Sequence, residues 1–294
     1  MRTYDHGAFT AEGLAAVRER TISVCLPARD EAATIGPILE RLLPLRERGA
    51  IDQVVVVDDS GDGTGEIAER LGAEVHAQSA LMPDFGPVRG KGDAMWRALS
   101  VLTGDVVCYL DADTEGFGEH FALGLVGPVA CGDEVQFVKG FYRRPWRSGG
   151  TVQPNGGGRV TELLARPLLG RFFPELAGFH QPLAGEIAAR RDLLESLPFA
   201  TGYAVDVALL IDAWRAVGVD ALAQVDLVVR QNRHQPLGEL GPMAEEVLAA
   251  VAGRLERDGR LAPSADAPAL LERPPMRDAR HRLLTGGRAG LHSM

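Results

Sequence analysis

Short apolar runs alternate with segments of helical periodicity over the first 113 residues of the chain. The apolar runs are rich in β-branched residues, which favours buried strands. Strands are predicted at residues 21–27, 51–59, 73–76 and 104–110. Between them, apolar residues recur every three or four positions, which predicts helices at residues 33–45, 64–71 and 91–102. Strands that alternate with helices of this length predict an α/β fold, built on a mostly parallel sheet flanked by helices.

The regular alternation ends near residue 114, and predicted helices dominate from there. One more strand is predicted at residues 135–142, and helices at residues 159–170, 186–196, 204–217 and 241–257. We therefore divide the chain into residues 1–140 and 141–260, two halves of one domain, of which the second is smaller and mainly helical. Residues 1–20 are predicted as a helical lead-in. Residues 261–294 are rich in Pro, Gly, Ala and Arg without sustained periodicity, which predicts a disordered basic tail.

The composition and charge of the chain narrow the possible function classes. Of the 294 residues, 46% are hydrophobic and 24% are charged, which is ordinary for a globular protein. A net charge of −9 argues against nucleic acid as the main partner. No apolar run approaches the length of about 18 residues that a membrane span needs, and no signal peptide is evident. Cys25, Cys108 and Cys131 lack metal-site spacing, so we expect a cytoplasmic protein with reduced thiols.

Two carboxylates follow the strand predicted at residues 104–110. Asp111 and Asp113, separated by Ala112, would lie at the carboxyl end of that strand, where open α/β sheets bind ligands. Residues two apart in an extended chain point the same way, so both side chains can converge on one point. Such hard oxygen ligands suit Mg²⁺ or Mn²⁺, with a substrate phosphate completing the coordination. The alternative is a solvated turn, because aspartate is a common turn residue.

Three other polar clusters in the first half follow strands or begin a helix. Residues 27–31 form a loop that can present backbone groups to a planar base. Residues 58–64 form an acidic turn, for which a helix cap is the simpler interpretation. Lys91 lies between two glycines at a helix start, where free N–H groups and the helix dipole favour an anion. A surface turn explains Lys91 equally well.

A glycine run marks a candidate anion site in the second half. Residues 156–158 are three glycines that precede Arg159 and Thr161, a combination that suits a phosphate or a carboxylate. A flexible loop tip is the alternative, because glycine runs also serve as linkers. Further along the chain, Tyr203, Asp206 and the polar run 230–234 form a second polar focus.

The polar clusters occur in the order found in GT-A fold nucleotide-sugar glycosyltransferases, which the chain resembles. Further matching segments lie at residues 141–145, 156–163, 165–169, 181–186 and 197–200. With these, residues 20–245 resemble the glucosyl-3-phosphoglycerate synthases and are similar to the mannosyl-3-phosphoglycerate synthases. The resemblance implies a Rossmann-like GT-A sheet, with a nucleotide-sugar-binding half at residues 1–140 and an acceptor-binding half at residues 141–260.

The resemblance also implies a reaction, namely metal-dependent hexosyl transfer with retention. The enzyme would move glucose from UDP-glucose to the 2-hydroxyl of 3-phosphoglycerate, with Mg²⁺ or Mn²⁺ as the cofactor, and would act as a homodimer. A different donor such as GDP-mannose, or a different acceptor, is the alternative within this class. Outside it, the alternatives are a nucleotidyltransferase and a degenerate nucleotide-sugar-binding protein.

Each residue that matches the family pattern receives a role from the resemblance. The donor would be bound by Pro27, Ala28, Arg29, Glu31, Asp59, Lys91, Asp111, Ala112, Asp113, Leu183 and Tyr203. The acceptor would be bound by Gly158, Arg159, Thr161 and Arg230. Lys91, Asp113 and Asp206 would act in catalysis. Asp113 would hold the metal together with Asn232 or His234, because Asn and His occur here in the reverse order from the synthases.

Overall fold

A mixed eight-stranded sheet forms the centre of the protein in a computed structural model, which describes residues 1–148, 151–153, 157–231, 236–263 and 270–289. The described strands are β1 (Arg2–Asp5), β2 (Ile22–Ala28), β3 (Gln53–Asp58), β4 (Glu74–Ala77), β5 (Val106–Tyr109), β6 (Phe137–Arg143), β7 (Trp146–Ser148), β8 (Thr151–Gln153), β9 (Ile187–Arg190), β10 (Phe199–Ala200), β11 (Leu222–Val229) and β12 (Glu272–Arg273). The sheet has the order β1-β11-β6-β9-β5-β2-β3-β4. Its neighbouring strands are parallel, except that β9 runs antiparallel to both β5 and β6.

Helices pack on the sheet and bury two apolar cores, one on each face. The described helices are α1 (Ala11–Val17), α2 (Ile35–Glu47), α3 (Thr64–Leu71), α4 (Lys91–Ala98), α5 (His120–Ala130), α6 (Arg166–Phe172), α7 (Arg191–Ser196), α8 (Val205–Val217), α9 (Leu240–Arg257) and α10 (Met276–Ala289). Alternate side chains of a strand point to opposite faces, and in β2 Cys25 enters one core whereas Val24 and Leu26 enter the other. None of these helices is both long enough and apolar enough to cross a membrane.

The alternation predicted for the first half is confirmed, and so is the mostly parallel sheet. Strands β2 to β5 and helices α2 to α4 overlap their predicted positions. The boundary predicted at residue 140 falls inside β6, so residues from both halves contribute to one sheet. The division of the chain into a donor half and an acceptor half stays a prediction.

Two segments differ from the sequence predictions because tertiary pairing decides their conformation. Residues 2–5 of the predicted helical lead-in form β1, which pairs in parallel with β11, and within residues 1–20 only Ala11–Val17 is α-helical, after a short 3₁₀ turn at His6–Ala8. Residues 187–190 of the helix predicted at residues 186–196 form β9 instead. The alanines of β9 carry no strand pattern of their own, and β5 and β6 provide its hydrogen-bond partners on both sides.

The prediction of a disordered tail is wrong for residues 270–289. β12 pairs antiparallel with β10, and α10 packs the fully buried Met276 against a core. The arginine of β12, Arg273, forms an ion pair with the buried Asp93. Composition shows that such an arginine is charged but not which residue pairs with it. The basic residues of this segment therefore wrongly suggest that it is exposed to solvent and disordered.

Candidate active site

The ends of β2 and β5 and the start of β9 meet at one edge of the sheet. Because β9 is antiparallel to β5, its first residue, Ile187, pairs with the last residue of β5, Tyr109. Asp111 and Asp113 follow β5, and the loop of residues 27–31 ends β2. Two cavities open at this edge, a first of about 420 Å³ and a second of about 500 Å³. Both are lined by Glu31, Lys91, Asp111, Asp113 and Tyr203.

The two cavities bring most of the predicted site residues together. The first is also lined by Gly158, Arg159, Thr161, Leu183, Asp206 and Arg230. The second is also lined by Pro27, Ala28, Arg29 and Ala112. Asp59 lies apart from them, where its carboxylate accepts hydrogen bonds from the N–H and the hydroxyl of Ser79. The candidate metal ligands Asn232 and His234 lie outside the described residues.

Lys91 stands between two carboxylates at the junction of the cavities. It is the first residue of α4, and its Nζ lies 2.7 Å from Asp111 Oδ1 and 3.4 Å from Asp206 Oδ2. Burial alone would lower the pKa of Lys91, but the two carboxylates raise that pKa above its usual value. The ammonium therefore stays charged. A Cβ on Gly185 would lie 2.1 Å from Lys91 Nζ, so only glycine at that position leaves room for the ion pair.

The side chain of Arg230 is a second cation in contact with the acids. Only 3% of its side chain is exposed, and its Nη2 contacts Asp113 Oδ1 and lies 3.0 Å from Asp111 Oδ2. Its Nε lies 3.0 Å from Glu186 Oε1. Burial opposes the charge of Arg230, but Glu186 and the aspartates raise its pKa well above the usual value. One guanidinium thus pairs with three carboxylates that converge from different parts of the chain.

A strained bend in β11 directs Arg230 toward the acids. The pairing of β11 with β6 changes register between Asp226 and Val229. Val228 has a φ of +68°, which β-branched residues rarely adopt, and its N–H donates to Asp226 Oδ1 over 2.8 Å. A bulge of this kind re-aims the residues that follow it. The strained residue therefore lies two positions before Arg230, and its conformation determines the position of Arg230.

Glu186 and Tyr142 complete the buried network, although the sequence predictions give neither of them a role. Tyr142 OH donates to Glu186 Oε2 over 2.7 Å and accepts from Arg230 Nη1 over 3.1 Å. Burial raises the pKa of Glu186, and Arg230 acts in the opposite direction. Both residues belong to segments that carry the family resemblance, but only their burial beside Arg230 reveals what they contact.

A second buried lysine, Lys139, connects the loop before β9 to the first turn of α8. Its Nζ donates to the carbonyl oxygens of Ala184, over 2.8 Å, and Asp206, over 3.2 Å. Burial lowers the pKa of Lys139 to about 8, while the nearby Asp206 carboxylate acts to raise it. A lysine inside the apolar run of β6 is the sequence signal that could have identified this residue.

We expect the contribution of Lys139 to the free energy of unfolding to depend on pH. Its pKa falls from 10.5 in the unfolded chain to about 8 in the folded protein, so above pH 8 the unfolded state binds more protons. The free energy of unfolding of the wild type should therefore rise, relative to a Lys139→Met variant, between about pH 8 and pH 10. Urea unfolding of both proteins across this range measures the difference. Parallel pH profiles would show that Lys139 titrates normally.

A glycine turn places two guanidinium groups in the first cavity. Gly158 has a φ of +74° and precedes Arg159, and both line the cavity with Arg144, which the sequence predictions do not include. A Cβ on Gly157 would lie 2.6 Å from Arg144 Cβ, so glycine allows the two segments to approach. The nearly buried Thr161 begins a π-helix, Thr161–Ala165, beside them. We call Arg144, Gly158, Arg159 and Thr161 the anion cradle, because two guanidiniums and a hydroxyl suit a multiply charged anion.

The acids of the site fit a divalent cation by charge and by chemistry. Besides Glu31, the carboxylates are Asp111, Asp113, Glu186 and Asp206, and these four surround the cations Lys91, Lys139 and Arg230. Asp113 is the most open of the four acids, with 36% of its side chain exposed. Within the described ranges, no three His, Cys, Asp or Glu residues form a complete metal cage. Mg²⁺ and Mn²⁺ need no such cage when substrate phosphates complete the coordination, so Asp113 fits this use.

Comparison with known proteins identifies the family of the chain. Residues 23–122 match glycosyl transferase family 2. The glucosyl-3-phosphoglycerate synthase of Mycolicibacterium smegmatis is 40% identical, over 95% of this chain and 97% of that protein. This chain belongs to the glucosyl-3-phosphoglycerate synthase family. Another member of the family, from Mycobacterium tuberculosis, is 46% identical over 82% of this chain and 75% of its own length.

Solved structures confirm the GT-A architecture predicted for this member of the glucosyl-3-phosphoglycerate synthase family. The mannosyl-3-phosphoglycerate synthase of Rubrobacter xylanophilus has a TM-score of 0.84 at 46% identity, covering 94% of this chain and 95% of that one. The M. tuberculosis glucosyl-3-phosphoglycerate synthase with phosphoglyceric acid has a TM-score of 0.83 at 42% identity, covering 95% and 99%. The same enzyme with Mn²⁺, uridine-diphosphate-glucose and phosphoglyceric acid has a TM-score of 0.80 at 40% identity, covering 95% and 98%.

Proposed function

We propose that this enzyme transfers glucose from UDP-glucose to the 2-hydroxyl of 3-phosphoglycerate, with retention of the anomeric configuration. One arrangement carries the proposal: in the first cavity the acids Asp111 and Asp113 share a wall with the anion cradle. A hexose bound between them would have the donor diphosphate beside the two acids and an anionic acceptor beside the anion cradle. In support, the M. tuberculosis relative was solved with Mn²⁺, UDP-glucose and phosphoglyceric acid together.

The second cavity is suited to the nucleoside of the donor. Its loop at residues 27–31 is fixed by the acidic turn that follows β3. The N–H of Glu31 donates to Thr64 Oγ1 over 2.9 Å, and the N–H of Asp30 donates to Ser60 Oγ over 2.7 Å. A wall that is already ordered binds a planar base without further loss of conformational entropy. A contact between the donor and Asp59 stays a prediction.

Asp113 would hold the divalent cation, with Asn232 or His234 as the further candidate ligand. When bound, the cation supplies positive charge to the leaving diphosphate. Lys91 would donate to the same diphosphate from the other side of Asp111. Burial alone would raise the pKa of Asp111, but Lys91 and Arg230 lower it, so this acid stays ionised beside the donor.

Asp206 is placed to orient the sugar. Its Oδ2 pairs with Lys91, whereas its Oδ1 is buried and has no hydrogen-bond donor among the described residues. A sugar hydroxyl would satisfy that oxygen. Asp111, Asp113, Glu186 and Asp206 are each paired with a cation, so none of these four is placed as an uncommitted nucleophile. We therefore favour same-face attack, in which a phosphate oxygen of the leaving group takes the proton of the acceptor hydroxyl.

A panel of donors and acceptors tests the proposed function directly. UDP-glucose and GDP-mannose are each combined with 3-phosphoglycerate and with uncharged acceptors, and release of nucleoside diphosphate is measured. GDP-mannose is the second candidate donor, because the R. xylanophilus mannosyl-3-phosphoglycerate synthase shares 46% identity with this chain. Release of pyrophosphate would instead indicate nucleotidyl transfer, and tight UDP binding without turnover would indicate a binding protein. The homodimer and the cytoplasmic location are part of the same proposal.

We expect Arg159→Met to weaken binding of the acceptor selectively. Loss of a charge-assisted contact to the phosphate or carboxylate should raise the KM for 3-phosphoglycerate by about tenfold or more. The KM for UDP-glucose should change by less than about twofold. Arg166→Met is the matched control, because Arg166 pairs with Glu162 on the helix surface outside the first cavity. Equal changes in both KM values for Arg159→Met would contradict an acceptor role.

A further inference from the structure

The C-terminal segment is fixed to the helix that begins with Lys91. Residues 270–280, which we call the C-terminal strap, include β12, and Arg273 of β12 pairs with Phe199 of β10. Trp96 of α4 donates its Nε1–H to the carbonyl of Pro274 over 2.7 Å. The strap therefore lies against α4, and its residues line neither of the two cavities.

The donor loop, residues 81–90, connects this region to the second cavity. Its last three residues, 88–90, line the cavity and lead into α4. A 3₁₀ turn at Pro83–Phe85 is its only regular structure, and Met82 and Gly86 have φ values of +50° and +81°. Such a backbone leaves carbonyl oxygens that need donors from elsewhere in the protein.

Two arginines bind the donor loop through these carbonyl oxygens. Arg97 of α4 donates to the carbonyl of Gly86 over 2.6 Å. Arg273 of the strap donates to the carbonyls of Phe85 and Pro87, the latter over 2.9 Å. Residues that immediately precede the cavity wall are thus held by a side chain from the far end of the sequence.

Asp93 joins the two arginines into one network. It is fully buried, and its Oδ1 accepts from Arg273 Nε over 2.6 Å, while its Oδ2 accepts from Arg97 Nε over 3.0 Å. Asp93 Oδ2 also accepts from the backbone N–H of Arg89, over 2.9 Å. Arg89 belongs to the donor loop and lines the second cavity. Charge-assisted bonds in such a buried site are strong and directional, so the network fixes the backbone of the loop.

We propose that Arg273 is a positioning residue for donor binding. It holds the donor loop in the conformation that forms the wall of the second cavity, through the carbonyls of Phe85 and Pro87 and through Asp93. Arg273 acts from behind the loop rather than by contact with the ligand. The inference rests on the proposed function only in naming the ligand as a nucleoside diphosphate.

Binding of UDP to the full-length protein in the presence of Mn²⁺ tests this role. Arg273→Met should raise the Kd for UDP and the KM for the donor by about tenfold, because the loop loses charge-assisted bonds. The kcat at saturating donor and the KM for 3-phosphoglycerate should change by less than about twofold. Arg273→Lys, which keeps the charge but not the fork of donors, should recover part of the affinity and remains usable if Arg273→Met folds poorly.

Arg280→Met is the matched control within the strap. Arg280 donates to the carbonyl of Leu99 over 2.8 Å and pairs with Glu195, outside the donor loop. An equal loss of UDP affinity in Arg280→Met would overturn the proposal, because general loosening of the strap would then explain both variants. Wild-type affinity for UDP in both Arg273 variants would overturn it as well.

Hydrogen–deuterium exchange separates this inference from the proposed function. In Arg273→Met, amides of the donor loop should exchange faster without any ligand, whereas those of the anion cradle should not change. Unchanged exchange in the loop would overturn the positioning role. A wild-type protein that binds neither UDP nor GDP would instead refute the proposed function, and the exchange result would still decide whether Arg273 orders the loop.

Discussion

Asp113→Ala should lower kcat for glucosyl transfer by about a thousandfold or more and abolish the response to added Mn²⁺. Asp113 lines both cavities, and 36% of its side chain is exposed, more than for Asp111, Glu186 or Asp206. Its loss removes the described candidate ligand of the cation and leaves the leaving diphosphate without that neutralising charge. Steady-state release of UDP, measured over a titration of Mn²⁺ and after treatment with EDTA, gives both quantities.

Two further variants serve as controls for Asp113→Ala. Asp220→Ala removes a fully exposed carboxylate far from the cavities, and its kcat and metal dependence should match those of the wild type. Asp113→Asn keeps the size of the side chain but weakens its ligand oxygen, so an intermediate loss is expected. Metal-dependent transfer by Asp113→Ala at the wild-type rate would exclude Asp113 as the ligand.

Arg230→Met should reduce the free energy of unfolding by about 3–5 kcal/mol near neutral pH. The substitution leaves the buried Glu186 and the partly buried Asp111 without the guanidinium that lies 3.0 Å from each of them. Burial already raises the pKa of Glu186, and without Arg230 that pKa rises further. A raised carboxyl pKa stabilises the folded state at low pH, so the deficit of the variant should shrink as the pH falls. Urea unfolding at several pH values measures it.

A double variant and a surface control complete the experiment on Arg230. Glu186→Gln removes the buried charge, so adding it to Arg230→Met should restore part of the lost stability and flatten the pH dependence. Arg41→Met removes an exposed arginine of α2 and should change stability by less than about 0.5 kcal/mol. A pH-independent deficit in Arg230→Met would show that lost packing, rather than the unpaired carboxylates, causes the destabilisation.

Strands β2 to β5 are predictable because each of them carries its own signal. Residues 54–57 of β3, for example, are four consecutive valines, typical of a strand buried on both faces. By contrast, β9 reads Ile-Ala-Ala-Arg and becomes a strand only because two neighbours pair with it. The C-terminal segment is wrongly predicted to be disordered for a related reason, because the charge of Arg273 is neutralised by an aspartate 180 positions away.

The sequence predicts those residues of the site that lie at the end of a strand or at the start of a helix. Asp111 and Asp113 lie where the end of an apolar run places them, and Lys91 lies at the helix start indicated by its glycines. Glu186 and Lys139 are single polar residues in apolar surroundings, and nothing local indicates which groups they face. Their roles depend on the sheet order and on the bulge in β11, which sequence patterns do not specify.

The antiparallel strand β9 has a consequence for how this enzyme could have been assembled in evolution. The match to glycosyl transferase family 2 ends at residue 122, and a fragment of that length would contain Asp111 and Asp113 but not Arg230. It would also lack the strand that covers one side of β5, and so would expose an open sheet edge. Residues 1–122 alone have neither the strand that covers β5 nor the arginine that pairs with the acids, so both had to come from the part of the chain after residue 122.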